Sequence, residues 1–430
     1  MNNFLFGVAT ASHQNEGYNV YNNWGNWEEL QNLERSGIAC NSWNNYKDDI
    51  KSIKKIGCNS YRFSIEWSRI MPYENQIDYN AIQKYKDMII YSKKHNIEPI
   101  VTLHHFTRPM WFDFKYEGLH SEIFLEKFNQ FILLVIEHLC PYINYLITFN
   151  EPFLECLNGY IRGTRPPGYN MDFSNMYLAL KNILDAHAFT YYEVKKKYPN
   201  ILISFSKNLV KFKKKHKYDY LRKHIENNID NLFNWSLLDA VFTGNFEFGI
   251  SFFGITKKWK NHNEFWKGTI DFIAVNHYNV GYIEIKYRKH NPIDVILFNP
   301  KKECIKNALD WELDPNSMTD ILYEVCNRYS YFPIMITENG SCEINNTNNS
   351  CQKFILDNHF SNLMQFNNIN KNIIGYMWWT LQDNFEWDDG YKPKFGLYTR
   401  DLITNNNIGK TLKPIGEYYK KLIKKYSNNI

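Results

Sequence analysis

Apolar runs of strand length alternate along this chain with longer stretches whose apolar residues recur every three to four positions. The first run is Phe4–Ser12, and Asp48–Gly57 reads as a helix closed by Gly57. Ser60–Ile65 follows as a strand. Tyr79–Asn96 then places Ile82, Tyr85, Met88 and Ile89 on one helical face. Glu98–His105 is a strand, Ser121–Cys140 a helix ended before Pro141, and Tyr145–Asn150 a strand. The alternation continues with helix Met176–Tyr198, strand Ile201–Ser206, helix Asn231–Thr243 and strand Asp271–Tyr278. It closes with helix Thr319–Tyr329, strand Ile334–Thr337, helix Lys353–Phe366, strand Ile373–Leu381 and helix Pro414–Tyr426. Eight β–α units in succession predict a parallel sheet with right-handed crossovers. Their number points to an α/β fold, a closed (βα)8 TIM barrel over residues 1–430 as one domain, with a doubly wound open sheet as the alternative. There is no linker rich in Pro, Gly or Ser and no repeat of fixed period. Phe246–Gly268 and Tyr282–Asp314 carry little pattern and are expected as long loops, and the basic run Lys211–Lys217 as a solvated loop after strand five.

Composition narrows the class. Of 430 residues, 44% are hydrophobic and 22% charged, which excludes disorder, collagen and a coiled-coil rod. Aromatic residues reach 17%, more rings than a core requires; composition alone favours a bulky core, and the surplus also suits a ligand with flat apolar faces. Fifty basic against 45 acidic groups leave a net charge of +5, too small and too mixed to imply a nucleic-acid partner. Eight cysteines without a C-x-x-C pair read as reduced, mostly buried thiols, neither a disulfide framework nor a zinc site. The N-terminal residues lack a basic n-region. The most apolar window, Phe124–Leu139, is interrupted by Glu126, Lys127, Asn129, Gln130, Glu137 and His138. A cytoplasmic protein with no membrane contact and no metal is therefore expected, and nothing specifies an oligomeric state.

In a barrel of this kind the working residues stand at the C-terminal ends of the strands. Strand one ends in Gln14 and Glu16. Strand two carries Arg62, with Glu66 and Trp67 beyond it. Strand three ends in His104 and His105, strand four in Asn150 and Glu151, and strand six in Asn276, His277 and Tyr278. Strand seven ends in Glu338 and Asn339. Strand eight carries Trp378 and Trp379, then Gln382, Asp383, Asn384, Glu386 and Trp387. Polar and aromatic groups thus collect at one rim, which packing does not explain, since a buried carboxylate without a partner is costly. Glu151 and Glu338 lie on nearly opposite strands. A carboxyl pair flanking a sugar is what glycosidic cleavage needs: one protonates the leaving oxygen, the other meets the oxocarbenium-like carbon.

The motifs FLFGVATASHQNEG (Phe4–Gly17), NSYRFSIEWSRIMP (Asn59–Pro72), TLHHFTRPMWF (Thr102–Phe112), TFNEP (Thr148–Pro152), DFIAVNHY (Asp271–Tyr278), ITENG (Ile336–Gly340) and GYMWWTLQDNFEWDDGY (Gly375–Tyr391) run in order through the chain. Together they resemble glycoside hydrolase family 1, the β-glucosidase and β-glycosidase family. The resemblance implies a retaining double displacement on a small β-glycoside or short oligosaccharide, without cofactor. Glu151 is then the general acid/base and Glu338 the nucleophile, with Arg62 and Tyr278 supporting its charge. Asn150 resembles the residue that binds the sugar 2-OH, and Asn276 stands beside it as a supporting residue. Gln14, His105, Glu386 and Trp387 match the glycone-binding set, with Trp379 as the platform. His104 is expected to pack or to satisfy a core hydrogen bond. The residues themselves require that the general acid keep its proton near neutrality and that the nucleophile stay ionised.

Phe106 stands where many members have Trp, and Thr107-Arg108 replaces the commoner Asp-Leu. Two other activities compete within this fold. A 6-phospho-β-glycosidase usually carries a Ser, Lys and Tyr phosphate set in the loop after strand eight, whereas here Glu386-Trp387 is present. A thioglucosidase replaces the acid/base Glu by Gln, and Glu151 argues against that. A non-catalytic sugar-binding relative typically lacks one of the two Glu, and both are present.

Overall fold

The computed structural model describes residues 4–213, 220–252, 255–286, 294–296, 303–344, 349–404 and 407–427. Eight strands close a barrel: β1 (Leu5–Ala9), β2 (Ser60–Ser64), β3 (Glu98–His104), β4 (Tyr145–Asn150), β5 (Leu202–Asn208), β6 (Ile273–Asn276), β7 (Ile334–Asn339) and β8 (Ile373–Trp379). Each pairs in parallel with its sequence neighbours, and β8 returns to β1 with Leu5 opposite Gly375 and Ala9 opposite Trp379. This is the closed (βα)8 TIM barrel that the alternation predicted, not an open sheet.

Helices α1 (Ser42–Lys55), α2 (Tyr79–Lys94), α3 (Phe124–His138), α4 (Phe173–Lys197), α5 (Ser236–Thr243), α6 (Ser317–Tyr329), α7 (Ser361–Asn370) and α8 (Pro414–Ser427) follow the eight strands in turn. Helix α2 shows how they are specified. The Asp78 carboxylate caps its first turn by accepting from the Asn80 and Ala81 backbone N–H groups. The Ile82, Tyr85, Met88 and Ile89 stripe is buried as predicted.

The two-residue period of the strands sorts side chains into two layers. Phe6, Val8, Tyr61, Phe63, Tyr376 and Trp378 point outward and join the apolar layer beneath the helices. Leu5, Ala9, Ile100, Ile147, Ala274, Met335 and Met377 point inward and fill the barrel. Gly7 is required there, because a Cβ would meet Met377 Sδ and Ser60 Oγ, each at 2.4 Å. By the same alternation Trp379 enters the barrel while Trp378 does not. In β7 the register shifts between Ile336 and Glu338, and in β4 between Ile147 and Asn150. Such irregularities re-aim side chains, and these two fall where the chain must present Glu338, Asn150 and Glu151 to one end of the barrel.

Several predicted boundaries move. Strand one stops at Ala9, and Ser12–Asn15 forms a helical turn instead. Strand five runs to Asn208 and strand seven to Asn339, so Glu338 sits within its strand. The expected loop Phe246–Gly268 contains an antiparallel hairpin, Asn245–Phe252 against Ile255–His262. Its alternating Phe246 and Phe248 are buried, and both pack on Tyr177. In the expected loop Tyr282–Asp314, Glu284–Lys286 pairs with Asp294–Ile296, while 287–293 and 297–302 lie outside the described residues. The basic run begins as a short strand, Lys211–Lys213, paired with Val280–Tyr282, and Lys214–Lys217 lie outside the described residues. All eight cysteines are free, and six are buried. Among the described residues no helix is long and apolar enough to cross a membrane.

Candidate active site

The C-terminal ends of the strands surround a pocket of about 900 Å³, counting its open mouth. Gln14, His105, Asn150, Glu151, Tyr278, Glu338, Trp379, Glu386 and Trp387 all line it. Arg62 and Asn276 lie just beneath, as the hydrogen bonds below establish. Eleven positions read from seven strand ends therefore converge in one place.

Glu338 and Glu151 are 4% and 5% exposed, yet their partners differ in kind. Glu338 Oε1 accepts from the Arg62 guanidinium at 2.5 Å, and Glu338 Oε2 accepts from the Tyr278 phenol at 2.7 Å. Among the described residues Glu151 Oε1 accepts from neutral amide donors, Asn276 Nδ2 at 2.8 Å and Asn208 Nδ2 at 3.3 Å. Arg62 thus bonds Glu338 and not Glu151, which instead feels the charge of buried Lys207 without a hydrogen bond to it. Burial pushes Glu338 up to about 7, the Arg62 charge and the Tyr278 hydroxyl oppose that rise, and the Glu151 charge adds to it. Glu338 is expected to stay ionised, yet desolvation raises it, because β7 holds it inside the barrel wall.

Arg62 is locked by four contacts: Glu338, the Thr337 carbonyl at 3.1 Å, Thr102 Oγ1 at 3.1 Å and Asn150 Oδ1 at 2.6 Å. Asn276 Nδ2 also donates to Asn150 Oδ1, at 3.1 Å. With its oxygen taken twice, Asn150 turns its amide N–H to His105 Nε2, 3.1 Å away. That imidazole nitrogen must accept, so the ring proton resides on Nδ1. Burial, then the positive charges of Arg62 and Arg165, hold His105 well below the usual histidine value and keep it neutral.

Trp379 Nε1 donates to Glu386 Oε1 at 3.1 Å, and Gln14 Nε2 donates to Glu386 Oε2 at 3.2 Å and to the Phe385 carbonyl at 2.6 Å. The His105 ring stacks between Trp379 and Trp387, at 5.9 and 6.1 Å between centroids. Gln14 Oε1 and His105 Nδ1 are buried with no hydrogen-bond partner among the described residues. An acceptor and a donor therefore remain for a hydroxylated ligand. Burial pushes Glu386 well above the usual carboxylate range, with Trp379 and Gln14 opposing and the Glu338 charge adding. The sequence suggests a plain carboxylate at Glu386, whereas its burial in the pocket wall favours the protonated form.

Other rim residues are structural. His104 turns outward and its Nε2 meets Glu155 at 2.8 Å, while Arg108 joins Glu155 at 2.5 Å and grips Asp113 with two N–H groups. This cluster accounts for Arg108, and Thr107 bonds Glu66 at 2.8 Å. Glu16 pairs with Arg69, and His277 spans the Leu209 carbonyl and Ser317. Asn339 bonds the His277 carbonyl and Tyr376, and Asp383 pairs with buried Lys413 at 2.8 Å.

The pocket also contains residues that the strand-end reading left out: Leu154, Asn158, Arg162, Arg165, Asn208, Asn279, Trp311 and Phe395. Asn208 was within reach of that rule, since it ends β5, but the strand was predicted two residues short. The others stand on segments beyond the strands, where no period marks them.

Comparison with known proteins agrees with this geometry. The sequence model of glycosyl hydrolase family 1 matches residues 1–428. A 1,4-β-D-glucan glucohydrolase of Thermotoga neapolitana is 27% identical over 446 residues, covering 98% of this chain and 97% of the relative. Among solved structures, a β-glycosidase from Pyrococcus horikoshii superposes with a TM-score of 0.84 at 30% identity, over 98% of this chain and 94% of the other. A β-glucosidase from Exiguobacterium marinum gives 0.86 at 26% identity, over 98% of both chains. With a family match spanning nearly the whole sequence and a closed barrel carrying a two-carboxyl pocket, the chain belongs to glycosyl hydrolase family 1 and is an O-glycosyl hydrolase.

Proposed function

We propose that this enzyme is a retaining β-glucosidase that releases terminal non-reducing β-D-glucosyl residues through a covalent glycosyl-enzyme. The observation that carries the proposal is the unequal partnering of the two carboxyls. Arg62 and Tyr278 both stabilise negative charge on Glu338, whereas the amide donors at Glu151 tolerate a proton on its other oxygen. In the first step Glu151 gives its proton to the glycosidic oxygen as Glu338 attacks the anomeric carbon; the C–O bond to the leaving group breaks and an ester bond forms. Esterification removes the negative charge opposite Glu151. In the second step the Glu151 carboxylate takes a proton from water, the water oxygen attacks the anomeric carbon, and Glu338 leaves as carboxylate.

Gln14, His105 and Glu386 supply the contacts for sugar hydroxyls, and Trp379 and Trp387 the flat faces. Glu386 suits adjacent hydroxyls such as O4 and O6 and can follow either O4 orientation, which supports β-galactosidase or β-fucosidase side activity. Glu386, Gln14 and Trp379 present no cation to a sugar 6-phosphate, so the neutral glycoside is favoured over the 6-phosphoglycoside.

The test is Glu338→Gly on a nitrophenyl β-glucoside. Hydrolysis should be abolished, and added azide should restore turnover with an α-glucosyl azide as product. Near-normal activity without azide would refute the nucleophile assignment.

A further inference from the structure

The end of β5, Ser206-Lys207-Asn208, lies against Glu151. The Ser206 carbonyl accepts from the Glu151 backbone N–H at 2.8 Å, and Asn208 Nδ2 donates to Glu151 Oε1 at 3.3 Å. Between them, by the alternation of a strand, Lys207 turns to the other face of the barrel wall. There it meets Phe153, on the short helix Pro152–Cys156 that follows Glu151. Its ammonium stands over the rings of Phe153 and Phe233, at 5.5 and 4.8 Å, and donates to the Asn208 carbonyl at 2.7 Å. Lys207 is 1% exposed, and among the described residues no carboxylate forms an ion pair with it. A lysine is almost never buried so completely without a paired charge, because taking an ammonium out of water is costly. The rings and the carbonyl offset part of that cost. A methionine would fill nearly the same space without it.

The place matters because the two steps ask opposite things of Glu151. It must hold a proton when the leaving group departs and be a carboxylate when water attacks. Burial favours the neutral amine at Lys207 and draws it down to about 7, while the Glu151 charge works against that fall. Coupling between two sites is reciprocal. While Glu151 keeps its proton, the ammonium has little support and exerts little pull. Once Glu151 is ionised, the ammonium is favoured and favours the carboxylate in turn. The other titratable and charged groups around the carboxyl do not alternate in this way. Glu338 repels the Glu151 charge, and that repulsion ends when Glu338 is esterified. Tyr278 and Glu386 are held toward their protonated forms and His105 toward its neutral form. Arg62, on Glu338, and Arg162 and Arg165, in the pocket lining, carry their charges through both steps.

We propose that Lys207 is a positioning residue for the second step: set behind Glu151 in the barrel wall, its ammonium supports the carboxylate that takes the proton from the attacking water. Lys207 acts on the reaction through Glu151 and exchanges no atom with the substrate. The inference rests on the reading of Glu151 as the acid/base of a double displacement.

Trapping isolates that step. The enzyme is loaded with 2,4-dinitrophenyl 2-deoxy-2-fluoro-β-D-glucoside, freed of excess reagent, and the loss of the glucosyl group is followed by intact-protein mass spectrometry from pH 5 to 8. Glu338 is esterified in this form and does not titrate. Removing one nearby charge should move the acid limb of the release rate up by about one pH unit in Lys207→Met, so release should be about ten-fold slower than wild type at the acid end. The two should converge toward pH 8, where Glu151 is ionised in both. Lys207→Gln is uncharged but can still donate to the Asn208 carbonyl, and it should behave as Lys207→Met does. Added azide needs no proton removed and should erase the deficit. An equal loss at every pH, recovery in Lys207→Gln, or a deficit that azide leaves in place would mark a structural role and overturn the inference. A trapped enzyme whose release is unaltered by Lys207→Met would overturn this inference alone. A wild type that forms no covalent glucosyl-enzyme would instead overturn the double-displacement reading.

Discussion

Tyr278→Phe isolates one hydrogen bond to Glu338, the proposed nucleophile. The ring stays, so its contacts with Trp311 at 5.7 Å and Phe395 at 6.3 Å are retained and only the hydroxyl is lost. That hydroxyl donates to Glu338 Oε2 at 2.7 Å. Burial, then the Glu338 and Glu151 charges, raise the phenol well above its usual value, so it remains a donor throughout the working range. A hydrogen bond to a charged group contributes about 1.5–3 kcal/mol, which at about 1.4 kcal/mol per unit is roughly one to two pKa units. Burial already pushes Glu338 up to about 7, so the variant should raise it further. In the proposed mechanism Glu338 works ionised, so activity is lost as pH falls through this value. The acid limb of kcat/KM should therefore move up by about one to two units, and the loss at pH 6 should reach roughly ten- to hundred-fold. At the alkaline end the two enzymes should converge until the other limb intervenes. The assay is kcat/KM for a nitrophenyl β-glucoside from pH 5 to 9.5, since that ratio reports the free enzyme. An unmoved acid limb with a uniform loss at every pH would refute the claim that Tyr278 stabilises the charge on Glu338.

The same protonation acts on stability with the opposite sign. Glu338 is raised in the folded state, so its contribution is full below the unfolded carboxylate value and is lost as pH rises through about 7, a change of about 3 kcal/mol. Buried, neutral His187, His277 and His359 slope the other way below pH 6.5, so the quantity to follow is Tm of the wild type minus that of Glu338→Gln from pH 4.5 to 8. It should fall with pH, and a flat difference would count against the raised value. Glu151→Ala should slow glycosylation far more for poor leaving groups than for nitrophenyl glucosides, with azide giving a β-glucosyl azide; equal losses in single-turnover glycosylation would remove its role as proton donor. Glu386→Ser should lower kcat/KM for glucosides and galactosides by about ten- to hundred-fold, the cost of unpairing buried polar groups, and should narrow their lead over 6-phosphoglycosides; a wild-type preference for the 6-phosphoglycoside would reverse the substrate class.

The barrel was legible because period two and period 3.6 alternate cleanly, as the buried stripe of α2 and the inward run Leu5, Gly7 and Ala9 illustrate. Convergence of the rim was legible too, since a closed parallel barrel brings all strand ends to one face. What sequence could not supply is which rim residue turns inward. Glu16, Glu66, His104, His277, Asn339 and Asp383 stand as close to strand ends as the pocket residues do. Each is nonetheless engaged by a structural partner: Arg69, Ser12 with Thr107, Glu155, Ser317, Tyr376 and Lys413. The selection is made by bulges in β4 and β7 and by partners remote in sequence, neither of which has a local signature. The hairpin Asn245–Phe252 with Ile255–His262 was missed because its outward face is lysine-rich and masks the alternation of Phe246 and Phe248.

Local rules fail most at the chemistry itself. Phe106, Glu151 and Trp387 all line the pocket, and all adopt left-handed backbone at φ 69°, 47° and 52°. For a residue with a Cβ this costs about 1–2 kcal/mol each. Pro152 follows Glu151 and starts the next helix with its φ already set. At Glu151 the conformation is held by its N–H on the Ser206 carbonyl at 2.8 Å, and its own carbonyl accepts from Glu155 N–H at 3.1 Å. At Trp387 it is held by Gly390, whose carbonyl accepts from Glu386 N–H at 2.7 Å and whose N–H donates to the Trp387 carbonyl at 3.2 Å. The strained positions thus coincide with the proposed acid/base, with a ring over His105 and with a wall of the pocket. Relaxing Glu151 would rotate its carboxyl away from Asn276, and relaxing Phe106 or Trp387 would move a ring packed on His105. The barrel supplies the surplus stability that keeps these positions in place, and the result is a site whose donors and carboxyls are oriented before a sugar arrives, which is the condition for electrostatic catalysis without reorganisation.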